Sequence, residues 1–277
     1  MGNVVKKVVR VVDDIVSDIK DMISVLGYMF GQKPARDNRS MAPEAQRSNK
    51  TREQLVQEAR DSLPGFDPDK HNIAVCGPAG SGKSSLVNAL QGVRDGDPGA
   101  ASVGEIECTD NIKRYPVSGS HLVVWDLPGC GTDRHPFEGY FDAKKLYAFD
   151  ILLLVYKDRL NAHAANLYRE CMERQVSVAV VRTHADAALQ AKLRRGMTVE
   201  AAQAEMRSEF QRELRLVGID NFENAFYVSS WDLADRQSNM DEHRFIGMLL
   251  RYGSQRAEVG WDAREFIRRF YAFADNA

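Results

Sequence analysis

The segment Gly77-Pro78-Ala79-Gly80-Ser81-Gly82-Lys83-Ser84-Ser85 constrains this chain more than any other. It has the G-x-x-x-x-G-K-S spelling of a phosphate-binding loop, with an apolar run (Ile73–Cys76) before it and a helical pattern (Leu86, Val87, Leu90) after it. Gly77, Gly80 and Gly82 let the backbone curl so that successive N–H groups face phosphate oxygens. The helix that follows adds its positive N-terminal end. In such a loop Lys83 reaches the β- and γ-phosphates and Ser84 ligates Mg²⁺. The expected ligand is a nucleoside triphosphate, and the expected fold is one that places a loop between a strand and a helix.

Alternating strands and helices from residue 72 onward set the fold class. Strands are expected over 72–76, 112–117, 121–127, 150–156, 176–182 and 225–229. Helices are expected near 51–62, 83–91, 138–147, 162–174, 199–217, 241–252 and 261–274. The runs Ile151–Val155 and Val176–Val181 are apolar on both faces, as central parallel strands covered by helices would be. The pattern predicts an α/β, three-layer P-loop NTPase domain with a mostly parallel sheet, over 51–240, and a ligand at the carboxyl ends of its strands.

Both ends read differently. Residues 1–30 form an amphipathic helix pattern, with Val4, Val8, Val12, Ile15, Ile19, Ile23 and Leu26 at spacings of three and four and Lys6, Lys7 and Arg10 near the start. Two partners fit it: another helix of this chain, or a membrane surface. Residues 31–50, with glycine, two prolines and many polar groups, read as a flexible linker. Residues 241–277 hold two C-terminal helices. Gly2 is in place for an acyl chain, but Lys6 stands where that signal has Ser or Thr, which argues against it. No run is long and apolar enough to cross a bilayer, and no signal peptide is apparent. A net charge of −2 argues against a general nucleic-acid binder. Cys76, Cys108, Cys130 and Cys171 have no zinc-ligand spacing and read as reduced thiols.

Four further segments carry chemistry. Asp126, at the end of an apolar run, is placed to hold Mg²⁺ through a water, and Gly129 offers an N–H to the γ-phosphate. Thr183-His184-Ala185-Asp186 ends the strand 176–182, where GTPases carry N/T-K-x-D. There the aspartate accepts hydrogen bonds from the guanine N1–H and amine. Asp186 fits that role, with a helix N-cap as the alternative. His184 replaces the lysine, and its ring could stack on the base. Ser229-Ser230 occupies the place of the last base-contacting loop. Thr109, within 101–110, is a candidate switch hydroxyl for Mg²⁺, or a surface threonine.

In order along the chain, Gly77–Ser84, Gly104–Thr109, Val124-Trp-Asp-Leu-Pro-Gly-Cys-Gly131, Tyr147–Asp150 and Val181–Asp186 resemble the immunity-related GTPases, an interferon-inducible, dynamin-like group. The tryptophan-bearing phrase around Asp126 is the most specific. The resemblance covers about residues 55–235. It implies a Ras-like domain, Mg-dependent binding of GTP and GDP, slow hydrolysis, nucleotide-dependent homodimers or oligomers, and a helical domain from both chain ends. It also implies a cytoplasmic protein, peripheral on intracellular membranes. The chain departs from the family pattern at His184, at Val103 before Gly104, and in a short C-terminal part. Ras-like enzymes position the attacking water with a glutamine just after D-x-x-G; here Cys130 stands there. Weak turnover by the monomer, raised by assembly, is the expectation. A regulatory module with little turnover and an ATP-using P-loop enzyme are the competing readings.

Overall fold

The computed structural model describes residues 50–103, 111–118, 120–132, 134–235 and 237–254. The helix expected over 3–30, most of the linker, Thr109, Cys108 and the helix expected near 261–274 lie outside the described residues.

The described chain runs α1 (Arg52–Asp61), β1 (His71–Cys76), α2 (Lys83–Gln91), β2 (Lys113–Pro116), β3 (Leu122–Asp126), α3 (Tyr140–Ala143) and a 3₁₀ turn (Leu146–Ala148). It continues through β4 (Ile151–Tyr156), α4 (Ala162–Glu173), β5 (Val178–Arg182), α5 (Ala185–Leu193), α6 (Val199–Leu216), β6 (Ala225–Tyr227), α7 (Ser230–Ala234) and α8 (Glu242–Ser254). The six strands stand in the order β2-β3-β1-β4-β5-β6. Only β2, at one edge, is antiparallel to its neighbour. β1 is central, with Ile73 opposite Val124 of β3 and Ile151 of β4.

Side-chain alternation along these strands builds two cores, one on each face. Ile73, Val75, Val124, Leu153, Val155 and Val181 join Leu86, Val87 and Leu90 of α2 and Phe245, Met248 and Leu249 of α8. Ala74, Cys76, Trp125, Leu152, Leu154 and Val180 join Leu167 of α4 and Met206, Phe210 and Leu214 of α6. Apart from the exposed edge strand β2, the strands are buried on both faces, which is why sequences such as Ile151–Val155 are apolar throughout rather than alternating. This is the Ras-like, three-layer P-loop architecture that the sequence predicted.

Polar anchors fix the amino end of β1. The fully buried Asn72 accepts from Trp125 Nε1 at 2.9 Å and donates its backbone N–H to Asp150 at 2.7 Å. Arg60 of α1 pairs with the same aspartate at 3.2 Å. Trp125, the distinctive residue of the 124–131 phrase, therefore packs the domain on the side away from the ligand.

Three expectations need correction. The helix near 138–147 is a single turn, because Gly139 (φ 72°) and Lys145 (φ 52°) take left-handed conformations at its two ends. The strand over 176–182 starts two residues late: Gln175 is left-handed (φ 55°) and the Val176 N–H bonds back to Cys171, so both residues close α4. α5 and α7 were not anticipated, although Ala185–Leu193 is rich in alanine and leucine, both strong helix formers.

Candidate nucleotide-binding site

The loop between β1 and α2 is shaped by its glycines. Gly77 has φ 146°, and a β-carbon there would stand 1.9 Å from the Val155 carbonyl oxygen. Gly82 is left-handed at φ 85° and begins α2 without a side-chain cap, so the first-turn N–H groups need a ligand or water to satisfy them. Lys83 is buried and its ammonium donates to the Pro78 carbonyl at 2.8 Å, which holds it across the loop. Ser81 is buried as well, while Ala79 and Gly80 form the exposed crest. Ser85 donates its hydroxyl to Asp95 at 2.8 Å.

Ser84 donates to Asp126 at 2.8 Å. Two of the three expected metal ligands, 42 residues apart in sequence, are thus brought into contact at the carboxyl ends of β1 and β3. A hydroxyl beside a carboxylate suits Mg²⁺, a hard cation that takes one or two protein oxygens and completes its shell from phosphates and water. Thr109, the third expected ligand, is outside the described residues.

The segment after Asp126 folds onto the phosphate loop. The Cys130 N–H donates to the Gly77 carbonyl at 3.0 Å, and Pro78 and Cys130 form a parallel bridge. A β-carbon on Gly129 would meet the Ala79 backbone at 3.0 Å, so the glycine permits this approach. Cys130 is buried, and burial pushes its thiol pKa up to about 12, with Lys83 pulling weakly the other way. It is a neutral thiol at physiological pH and supplies no base for an attacking water. Gly131 and Thr132 both donate to the His135 carbonyl, Phe137 lies against Gly131, and the Phe137 ring stacks on His163 of α4 at 4.8 Å.

The base side is tied to the phosphate side by one hydroxyl. Thr183, buried at the end of β5, donates to the Ser81 carbonyl at 2.8 Å, with the Tyr156 carbonyl at 3.2 Å. His184 Nδ1 lies 2.9 Å from the same oxygen, which ties the ring to this hydroxyl. His184 is the N-cap of α5, left-handed at φ 60°, and its Cε1 lies 3.3 Å from where a Gly82 β-carbon would be. Burial lowers its pKa, and Lys157 adds to that while Asp186 and Asp158 oppose it, so the ring is neutral at pH 7. Asp186 stands in the first turn of α5, half-buried, and is not the N-cap. That removes the alternative reading of this residue.

Ser229 and Ser230 follow β6. The Ser229 amide donates to Glu242 at 2.8 Å, its hydroxyl accepts from Asp232 at 3.1 Å, and its carbonyl accepts from Leu233 at 3.0 Å. Fully buried and so engaged, Ser229 shapes the turn from beneath, and Ser230 is half-exposed. Val228 donates to the Arg182 carbonyl and accepts from Ala185, joining this turn to the Thr183–Asp186 loop. Glu242 and Asp95 had no signal in the sequence, because neither belongs to a spaced motif.

Strand order, phosphate loop, the Ser84–Asp126 pair and the Thr183–Asp186 loop define a P-loop nucleotide-binding domain of the G-protein kind. Sequence comparison narrows the class: the profile of the "Interferon-inducible GTPase (IIGP)" family matches residues 44–234. The chain belongs to this family. Interferon-inducible GTPase 5 of Bos taurus is 32% identical over 181 residues, which is 64% of this chain and 39% of that protein. Its Rattus norvegicus counterpart is 31% identical over 172 residues, 61% and 37% of the two chains. Interferon-inducible GTPase 1 of Mus musculus is 32% identical over 129 residues, 46% and 31%. The matched region is thus well under half the length of these relatives.

Proposed function

We propose that this chain binds GTP with Mg²⁺ and hydrolyses it to GDP and phosphate, slowly as a monomer and faster when copies assemble across the nucleotide face. The observation that carries the reading is the hydroxyl of Thr183 on the carbonyl of Ser81, which joins a phosphate loop to a T-x-x-D base loop in one rigid unit. Gly77, Gly80, Gly82 and the α2 N-terminus receive the phosphates, Lys83 neutralises their charge, and Ser84 and Asp126 would hold Mg²⁺, which would supply further neutralisation of the phosphate oxygens. Asp186 reads the guanine edge, and the neutral His184 ring walls the base.

Slow turnover follows from Cys130. A buried, neutral thiol stands where a water-positioning amide is expected, so stabilisation of the transition state has to come from elsewhere. Trp231, on the turn that follows Ser229, is 60% exposed and gives the base side apolar area for a second copy. Action at an intracellular membrane surface, through the basic amphipathic pattern of residues 1–30, is part of the proposal. The Cys130 geometry equally favours a second reading, a nucleotide-binding regulatory module with little turnover.

Titration with fluorescent GTP, GDP and ATP analogues in Mg²⁺, with Asp186→Asn alongside, tests the binding half. Guanine preference that disappears in the variant supports it; equal binding of ATP sinks it. Specific activity that rises with protein concentration supports assembly-driven hydrolysis. Flat specific activity rejects assembly, and single-turnover hydrolysis that never exceeds background selects the regulatory module.

A further inference from the structure

The turn that follows β6 is held from below by a buried carboxylate that the nucleotide reading leaves unused. Glu242, in the first turn of α8, is 1% exposed. One oxygen accepts the Ser229 N–H at 2.8 Å; the other accepts the Met240 N–H at 2.7 Å and faces the Ser238 hydroxyl at 3.4 Å. Two parallel links run between the same segments. Asn239 donates to Asp232 at 3.0 Å, and Asp241 accepts the Tyr227 N–H at 3.1 Å while its own N–H donates to the Tyr227 carbonyl at 3.2 Å. The base-side turn is therefore not a free loop. It is suspended between the Thr183–Asp186 loop, through Val228, and the start of α8, through Glu242.

Placing a carboxylate there has a cost. Burial raises its pKa, and only the amides of Met240, Ser229 and Glu242 itself offset this. An apolar residue would cap the core at that depth without the cost. What the carboxylate adds is a fixed distance between two loops, since its two oxygens accept from backbone groups on each. Beyond it, α8 is locked to the sheet by Phe245, Met248 and Leu249, all fully buried. A shift of α8 would therefore pull on Ser229.

We propose that Glu242 is a positioning residue for base recognition, setting the Ser229–Ser230 turn against the nucleotide base and coupling α8 to nucleotide release. The inference rests on the reading of this site as a guanine-nucleotide site. It identifies α8 as an element through which nucleotide exchange is controlled.

The test uses the full chain loaded with a fluorescent GDP, chased with unlabelled GDP, together with the ratio of affinities for GDP and inosine diphosphate, which lacks the exocyclic amine. Glu242→Gln keeps the volume but only one acceptor oxygen, so the Ser229 and Met240 N–H groups can no longer both be held. Leu214→Ala, in the core on the opposite face, is the comparison for simple loss of stability. The expected result is GDP release roughly tenfold faster in Glu242→Gln, the size of one lost hydrogen bond to a charged group, with a reduced guanine-to-hypoxanthine ratio. Leu214→Ala should lower Tm and leave both unchanged. Should Glu242→Gln fail to fold, Asn239→Ala loosens the same clamp and should speed release by a few fold, on the scale of one neutral hydrogen bond. Unchanged release and ratio in the folded variant overturns the inference alone, because wild-type guanine preference still stands. Wild type with no guanine preference overturns both this inference and the reading beneath it.

Discussion

The phosphate end and the base end of this site are built by different means. At the phosphate end the backbone does the work: Gly77, Gly82 and Gly129 clear space, and Cys130 stitches the following segment to Gly77 through main-chain bonds. At the base end side chains hold the loops in place: Thr183 on Ser81, His184 on Thr183, Glu242 on Ser229. A site made of backbone tolerates little sequence change, because glycine has no substitute at φ 146° beside a carbonyl. One made of side-chain ties can drift, and this chain has replaced the usual lysine with His184 without opening the loop.

That contrast predicts a graded set of effects. The largest belongs to Gly77→Ala, which drives a β-carbon into Val155; no folded, nucleotide-binding protein is expected, read by thermal melt and titration. Asp186→Asn and Asp126→Asn should each weaken binding by roughly 10–100-fold, the worth of hydrogen bonds to a charged group, but differently. The first erases guanine preference and leaves Mg²⁺ dependence, and the second does the reverse, as titrations with and without Mg²⁺ would show. If both variants lost both properties together, the two ends would not be separable. Thr183→Val removes the tie between them and strands a buried carbonyl. A loss of about 1–3 kcal/mol in unfolding free energy by denaturant melt is expected, with base selectivity reduced more than phosphate affinity.

The smallest effect is in pH. His184 has a lowered pKa in the folded protein, so the unfolded chain takes up its proton first. Stability from this group is full above the unfolded histidine value of about 6.5 and is lost as pH falls below it. Wild type should therefore lose more Tm than His184→Asn between pH 7.5 and 5.5. Asparagine also tolerates the left-handed backbone, so the comparison isolates the ring. Equal losses would show that the ring is not held neutral by the fold.

The fold was legible because its central strands are buried on both faces and read as apolar runs, as Ile151–Val155 does, and because Gly77–Ser84 spells a loop that only one strand–helix junction accommodates. Misplaced ends, such as the late start of β5, came from Gln175 adopting a left-handed turn that residue identity does not announce. The shape of the phosphate loop was legible for the same reason, since its glycines, Lys83 and Ser84 stand at fixed local intervals, whereas the contact of Ser84 with Asp126 spans 42 residues. Glu242 was missed because its role depends on a contact across 13 residues that no spacing rule encodes.

The sequence by itself determined the class of ligand, since a backbone cradle for phosphate needs its glycines, lysine and serine at fixed local intervals. Only the tertiary structure decided how the base side is held. The partners of Thr183, His184 and Ser229 come from Ser81, Gly82 and Glu242, brought together by strand order and helix packing rather than by proximity along the chain.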